Sequence, residues 1–585
     1  MGLCMLETEV LVVGAGPTGA TASLLLARHG IRTLMVSQSA WVADSPRAHI
    51  VNQRTMEVMR AIGLEDVCEA AAAPGTAMAN HVMMTAVNGV EFGRMWTWQQ
   101  DPSRLGEYAA ASPCRGCDLP QHRFEPILVG EAARLGARVQ YRTRFVSLEQ
   151  DDDGVTTILE DLDTGQQYPV RSRYVIGADG GQSPVADAIG LELEGTSGIG
   201  RALNVVFDAD LTKYFEHRQG SIFWILQPGR ESGMTNAMLR MVTPWTQWVV
   251  GFVHLGDRVA DLSFEALRAE VAELIQDDSV DITIRGVYPW RINHVIAKRY
   301  QVGRVICGGD AVHRHPPMNG LGSNTCIQDA FNLAWKLAAV LRWGASESLL
   351  ETYSDERRPV GKQVVDRAIA SWRQNPDVIR SLGIDAQAPA AVRQAQFEEL
   401  FEDSPAGEAR RAAFQAAKRS KDYSYHAHGV EMNHFYESAA VLDDGEGPIE
   451  FERDPELHFQ PMFRAGARLP HVWVGRGGDT TTAPISTLDL TGPERFTLIT
   501  RVRGTAWLDA AARVSEKLGV PISAVRIGLG GEIADLYGEF GERCGFGEDG
   551  AILVRPDQHI AWRVTSAPGD PEAELESALR AILAR

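Results

Sequence analysis

The sequence has no apolar run approaching the ~20 residues a membrane-spanning helix needs. It is short of positive charge: 57 Lys and Arg stand against 76 Asp and Glu, a formal charge of −19. Nucleic-acid binding needs a basic surface, so neither nucleic acid nor membrane is expected as a partner. The opening stretch MGLCMLETEV has no basic segment and no cleavage site, which argues against a secretory leader. Leu6 stands where an acylation signal starting at Gly2 would carry Ser or Thr. Cysteines number seven, scattered and odd in count, which fits a reducing cytoplasm better than a disulfide framework. Cys114 and Cys117 form one C-x-x-C. No second pair and no nearby His pair completes a zinc site, and the pair does not open a helix as a thioredoxin motif does. They read as loop thiols, and no metal site is expected.

What is present is long enough, at 585 residues, for two to four domains. Near the start, TEVLVVGAGPTGATASLLLARHGIRTLMVS reads as strand, glycine turn, helix and strand. The strand is predicted over Glu9–Val13, the helix over Thr21–His29 and the second strand over Thr33–Val36. Gly14, Gly16 and Gly19 supply a tight turn, close backbone approach to a pyrophosphate, and close helix–strand packing. The helix N-terminus offers its positive dipole end to phosphate. Strand before and helix after make this a dinucleotide site rather than a chance glycine pattern. The second strand, where such sites carry an acid for the ribose, ends instead on Ser37 and Gln38. Either side chain can hydrogen-bond a ribose, more weakly than a carboxylate.

Two later strands also end on aspartate: SRYVIGADGGQSPV on Asp179 and VICGGDAVHRHPPMNGLGSNT on Asp310. With these three signatures the chain resembles the class A flavoprotein aromatic hydroxylases, of the p-hydroxybenzoate hydroxylase and phenol hydroxylase fold. The stretches SPRAHIVNQRTMEVMRAIGL, CDLPQHRFEPIL, GDAVHRHPPMNGLGSNT and QDAFNLAWKLAAVL resemble the 2,4-dichlorophenol 6-monooxygenase branch. The resemblance implies bound FAD, with Gly14, Gly16, Pro17, Thr18 and Gly19 at its phosphates. It gives Asp310 the ribityl hydroxyls, Arg47 a flavin contact, Gln121 the pyrophosphate, and Asp179 the middle signature. Pro316 and Pro317 would form a stiff wall beside the reactive edge of the flavin. Leu321, Gly322 and Asn324, at a helix N-terminus, would face the flavin pyrimidine, where a positive dipole favours the reduced anion.

The implied reaction uses NADPH or NADH as a transient co-substrate. It passes one oxygen of dioxygen, through an FAD C4a-hydroperoxide, to a phenol-like ring ortho or para to its hydroxyl. Such chemistry wants a base that raises phenolate character. His49 occupies the position where phenol hydroxylases carry an aspartate, and an imidazole titrates near pH ~6.5. Arg291 and Asn293 lie where the family polarises substrate. His313 and His315 read as wall residues, with no third ligand near. GLGGEIADLYG lacks the third glycine of the fingerprint, so no separate nicotinamide domain is expected. A flavin-dependent halogenase is a competing class, but its W-x-W-x-I-P segment is absent. A non-catalytic flavoprotein adaptor is the other.

The expected architecture is α/β. Residues 1–80, 110–190 and 285–400 form a split Rossmann-like FAD-binding domain, and 81–109 and 191–284 an interleaved β-sheet substrate domain. Its strands are expected in ALNVVFDADL, GSIFWILQP and TQWVVGFVHL. Residues 401–445 read as a solvated helical connection and 446–585 as a thioredoxin-like domain lacking C-x-x-C. A homo-oligomer acting on a small aromatic substrate, in the cytoplasm, completes the expectation.

Overall fold

The computed structural model of the protein describes residues 5–230, 236–253, 263–385, 387–477 and 482–585. Met1–Gly2 and the final two residues of TQWVVGFVHL lie outside the described residues.

Strand Val10–Val13 is fully apolar and buried, the centre of a six-stranded sheet. On one side it pairs in parallel with Thr33–Val36, which pairs with Arg138–Gln140. On the other it meets Tyr174–Gly177, then Val305–Cys307. The three motif-bearing strands are therefore adjacent, and their carboxyl ends share one edge. Helix Pro17–Arg28 starts four residues earlier than the pattern predicts, because Pro17 presets the first helical turn. Beside it runs Gly322–Arg342, a helix of 21 residues buried along almost its whole length.

An eight-stranded sheet forms the second layer. Its long strands Leu193–Asp208 and Thr283–Ala297 pair antiparallel from Leu193↔Ala297 to Asp208↔Thr283. The expected boundary at 285 therefore falls inside a strand of this sheet, and Arg291 and Asn293 belong to the sheet, not to the nucleotide domain. Strand Asn236–Thr243 was not anticipated. One sheet face packs Phe223, Leu239, Val250 and Phe252 under helix Phe264–Ile275. The other faces the nucleotide domain.

The stretch 401–445 is helical and its helix is largely solvated, but it also packs on the sheet. Phe414, on helix Pro405–Ser420, packs with Phe397, Leu400 and Val378 against Met83 and Trp224 of the sheet. Its charges occupy the outer face, so composition concealed an apolar stripe.

The tail is a seven-stranded sheet. Phe496–Arg501 and Ile522–Ile527 are parallel across helix Thr505–Leu518, then Ala551–Val554 and Ile560–Val564 follow antiparallel. This is the thioredoxin-like arrangement, closed by helix Pro571–Ile582. Cys544, its one cysteine, is buried.

Tail and nucleotide domain join through buried charge. Glu356 accepts from Arg555 at 2.6 and 2.8 Å, from Lys336 at 2.7 Å and from Ser438 at 2.6 Å. Arg555 also reaches Asp557, and its guanidinium lies 4.9 Å over the Trp335 ring. Burial alone would raise the pKa of Glu356, but Arg555 and Lys336 outweigh it and hold the carboxyl far below its ordinary range. Nearby, Arg54 donates to Gln558 at 2.7 Å and to the Asp557 carbonyl at 2.8 Å. Removing one partner of such a pair strands the other. Arg555→Met should lower stability by about 3–5 kcal/mol, read as a fall in the denaturant midpoint. Because the folded pKa of Glu356 is depressed, its contribution is present above its unfolded pKa and fades as pH falls.

Candidate active site

A cavity of about 2330 Å³ lies between the shared strand edge of the nucleotide domain and the open face of the eight-stranded sheet. Its nucleotide half is built from backbone. A Cβ on Gly14 would sit 2.0 Å from the Ala178 carbonyl, and one on Gly19 1.9 Å from the Gly14 carbonyl. Both glycines serve packing. A Cβ on Gly16 would meet nothing closer than 3.8 Å, and Gly16, Pro17 and Thr18 line the cavity. The helix begins there with no side-chain cap and no acid in its first turn, leaving its N–H groups to a ligand.

Asp310 follows Gly309, whose φ of +64° turns the chain at the strand end. Its carboxylate is exposed to the cavity and makes no hydrogen bond with another described residue. The turn is held from below by Asp329, which accepts from Gly309 N–H at 3.0 Å, His313 Nε2 at 2.8 Å and Arg357 Nε at 2.8 Å. Burial would raise the pKa of Asp329, but Arg357 and His313 keep it below the ordinary value. Pro317, Leu321 and Gly322 line the cavity, as do Arg47 and Gln121. The Gln121 amide N–H donates to Glu125 at 2.6 Å.

Other expected residues stand elsewhere. Ser37 and Gln38 do not line the cavity. Nor does Asp179, whose carboxylate accepts from Ser183 Oγ and, at 3.0 Å, from Val185 N–H, fastening the start of helix Pro184–Ala188. Asn324 is buried as a tie. Its amide N–H donates to the Ile50 carbonyl at 2.8 Å and its oxygen accepts from Asn52 N–H at 3.0 Å. Arg291 and Asn293 reach the cavity, but the Asn293 side-chain oxygen Oδ1 accepts from Ser197 Oγ at 2.8 Å and Gly198 N–H at 2.9 Å, pinning a bulge. His315 lines the cavity, and its Nδ1 lies 2.6 Å from the Pro316 carbonyl.

The sheet half brings His49 to a partner the sequence did not disclose. Strands Ile50–Val51 and Cys117–Asp118 pair antiparallel, setting Ile50 opposite Asp118. His49 Nδ1 then lies 2.9 Å from Asp118 Oδ2, with Asp118 fully buried. A carboxylate accepts, so Nδ1 carries the proton and Nε2 presents its lone pair. Burial, then the nearby Arg240, pull the His49 pKa below its ordinary value, with Asp118 opposing both. Arg240 donates to the Arg47 carbonyl at 3.1 Å and to the Pro46 carbonyl, fixing the loop that carries His49. Burial lowers Arg240 to about 10. The Trp98 ring stands edge-on to His49 at 5.9 Å, on backbone turned to positive φ at Trp98 and Gln99. That kink rests on the C-x-x-C loop, where Gly116 N–H donates to Gln99 at 2.9 Å. Cys114 and Cys117 are buried, which raises both thiol pKa values and makes them packing groups.

Comparison with known proteins identifies the family. The FAD binding domain family matches residues 7–368, and the aromatic-ring hydroxylase C-terminal family matches 463–585. The chain belongs to the FAD-dependent aromatic-ring hydroxylases. This hydroxylase is 46% identical to the 2,4-dichlorophenol 6-monooxygenase of Delftia acidovorans, over 99% of this chain and 98% of that one. The flavin-dependent monooxygenase PieE, solved with FAD and substrate, superposes with a TM-score of 0.93 at 41% identity, covering 99% of each chain. Aklavinone-11 hydroxylase, solved with FAD and aklavinone, gives 0.81 at 30% identity over 100% of both. The hydroxylase is thus a flavoprotein, and the open Gly16 backbone, the uncapped helix start and the free Asp310 carboxylate fit FAD.

The residues missed, Asp118, Arg240 and Asp329, share one property. Each acts on segments outside its own element, 69 residues away for Asp118 on His49 and 16 to 28 for Asp329 on its partners, and no local pattern marks it. Asp310→Ala should weaken FAD binding by about tenfold or more, since a charged hydrogen-bond acceptor is lost. Fluorescence titration of apoprotein with FAD measures it. An unchanged dissociation constant would put the flavin's hydroxyls elsewhere.

Proposed function

We propose that the hydroxylase uses FAD, a reduced nicotinamide (NADPH or NADH) and dioxygen to hydroxylate a phenol-like ring ortho or para to its hydroxyl. The substrate is a substituted phenol or a natural-product hydroxylated (hetero)aromatic. The observation that carries this reading is the His49–Asp118 pair, its imidazole lining the same cavity as the Asp310 turn and Pro317. When bound, FAD supplies an electrophilic oxygen drawn from dioxygen.

The chain supplies the rest. His49 Nε2 accepts the substrate hydroxyl proton, and the ring gains the electron density that attack on an electrophile needs. Asp118 holds the tautomer and stabilises the imidazolium as it forms. Arg240, one positive charge without an ion pair in the described residues, favours the phenolate over the phenol. The Pro316–Pro317 turn and the buried sheet face exclude water, strengthening these interactions. Ser37, Gln38 and Asp179 are proposed to act on FAD only through the backbone they shape.

The test is ¹⁸O₂ incorporation into a phenolic product by FAD-loaded enzyme, with nicotinamide consumption counted alongside. His49→Gln should slow ring oxygenation by about 10²-fold, the usual size of a general-base effect, while flavin reduction is little changed. Product per nicotinamide consumed then falls and peroxide rises. Asp118→Asn should show the same split to a smaller extent. Because His49 must be neutral to act and its pKa is lowered, product formation should hold at pH values below ~6.5 and fail only in more acidic solution. An acid limb above pH ~7, or full coupling in His49→Gln, would remove His49 from the role.

A further inference from the structure

At the end of the cavity away from His49 the wall holds a buried cation with no anion beside it. Lys421 follows helix Pro405–Ser420 and is 2% exposed. Its Nζ donates to Asn375 Oδ1 at 2.7 Å and to the Ser371 carbonyl at 3.2 Å. Both acceptors are neutral, and Lys421 forms no ion pair among the described residues. The Ser371 carbonyl lies in the last turn of helix Glu351–Arg373, whose dipole offers only about half a negative charge. One of three ammonium donors remains unspent. Arg393, which also lines this end, donates its guanidinium to the carbonyls of Pro228, Ala388 and Arg230. Lys421 therefore keeps a buried positive charge that no carboxylate hydrogen-bonds among the described residues, in a chain of net charge −19.

The wall between His49 and Lys421 is a row of rings. From His49 it runs to Trp98 at 5.9 Å, Tyr425 at 5.2 Å and His81 at 5.5 Å between successive centroids. Tyr425 and His81 hydrogen-bond each other, and the charge of Lys421 reaches His81. Such a row suits a flat ligand longer than one ring. The cavity, about 2330 Å³, also exceeds the ~300–1,000 Å³ of common single-ligand pockets, leaving room beside FAD.

We propose that this end of the cavity is a subsite for a carboxylate on the substrate, with Lys421 as its positive partner. The proposal rests on the aromatic-hydroxylation reading and narrows it to a hydroxylated multi-ring acid, hydroxyl at His49 and carboxylate at Lys421. A carboxylate is ionised at neutral pH without help, which a second phenol is not. Burial, with the like charge of Arg367, pulls the ammonium down to about 8, and an anion placed beside it would reverse that.

Two probes of one shape test it: 4-hydroxybiphenyl and 4′-hydroxybiphenyl-4-carboxylate, titrated into FAD-loaded enzyme and followed by flavin absorbance. The unmodified enzyme should bind the carboxylate about tenfold or more tightly than the neutral probe. Lys421→Met should abolish that preference, changing the neutral probe by less than about threefold, and Lys421→Arg should keep it. A Lys421 whose ammonium merely caps helix Glu351–Arg373 would alter both probes alike in Lys421→Met. Equal affinities in the unmodified enzyme, needing no variant, or a preference surviving Lys421→Met, overturn the subsite and leave the hydroxylase reading standing. Failure of both probes to perturb the flavin would contradict the aromatic reading itself.

Discussion

The candidate site depends on a two-residue antiparallel ribbon, Ile50–Val51 against Cys117–Asp118. It is too short to be stable alone and is held by its neighbours. Asn324 ties its backbone to the start of helix Gly322–Arg342, and Leu119 N–H donates to the His49 carbonyl at 2.7 Å. Through these bonds one rigid unit carries the imidazole, its carboxylate and the helix end beside Pro317. A shift of one residue in this ribbon would turn Asp118 away from His49, because side chains alternate across a strand.

Buried carboxylates organise the rest of the molecule in the same manner. Asp329 shapes the turn that presents Asp310, Asp179 fastens a short helix, and Glu356 joins the tail to the nucleotide domain. Each is buried or nearly so and fully engaged inside the chain. Asp310, at the strand end, is by contrast open to the cavity. The tail reaches further than its sequence position implies. Arg468 pairs with Glu57 at 2.8 Å and Arg54 with Gln558, both on helix Gln53–Ala61, which starts directly after the ribbon. A domain lacking redox cysteines thereby braces the strand that directly follows His49.

Opposed electrostatic effects set the character of His49. Burial and Arg240 favour the neutral ring, while Asp118 favours the charged one. A base needs the first before it acts and the second while it acts. The cavity's two ends also differ: a paired imidazole at one, an unpaired ammonium at the other, with aromatic rings between.

Some of this was legible in sequence because it is local. Gly14 to Gly19, Asp310 and Pro316–Pro317 sit at strand ends and helix starts whose conformation the neighbouring residues dictate. Strand and helix periodicity gave the nucleotide sheet and most of the tail for the same reason. Tertiary structure decided everything that depends on which segments meet. It set the boundary of the sheet past residue 285, because strand Thr283–Ala297 pairs with Leu193–Asp208, whose paired residues lie 75 to 104 positions earlier in the chain. It packed Phe414 of the charged run 401–445 against the sheet, since charge on one helix face says nothing of the other. It consigned Asp179, Asn293 and Asn324 to internal ties, and it placed Asp118 at His49, because a hydrogen bond of 2.9 Å across 69 residues is written in the fold and in no local pattern.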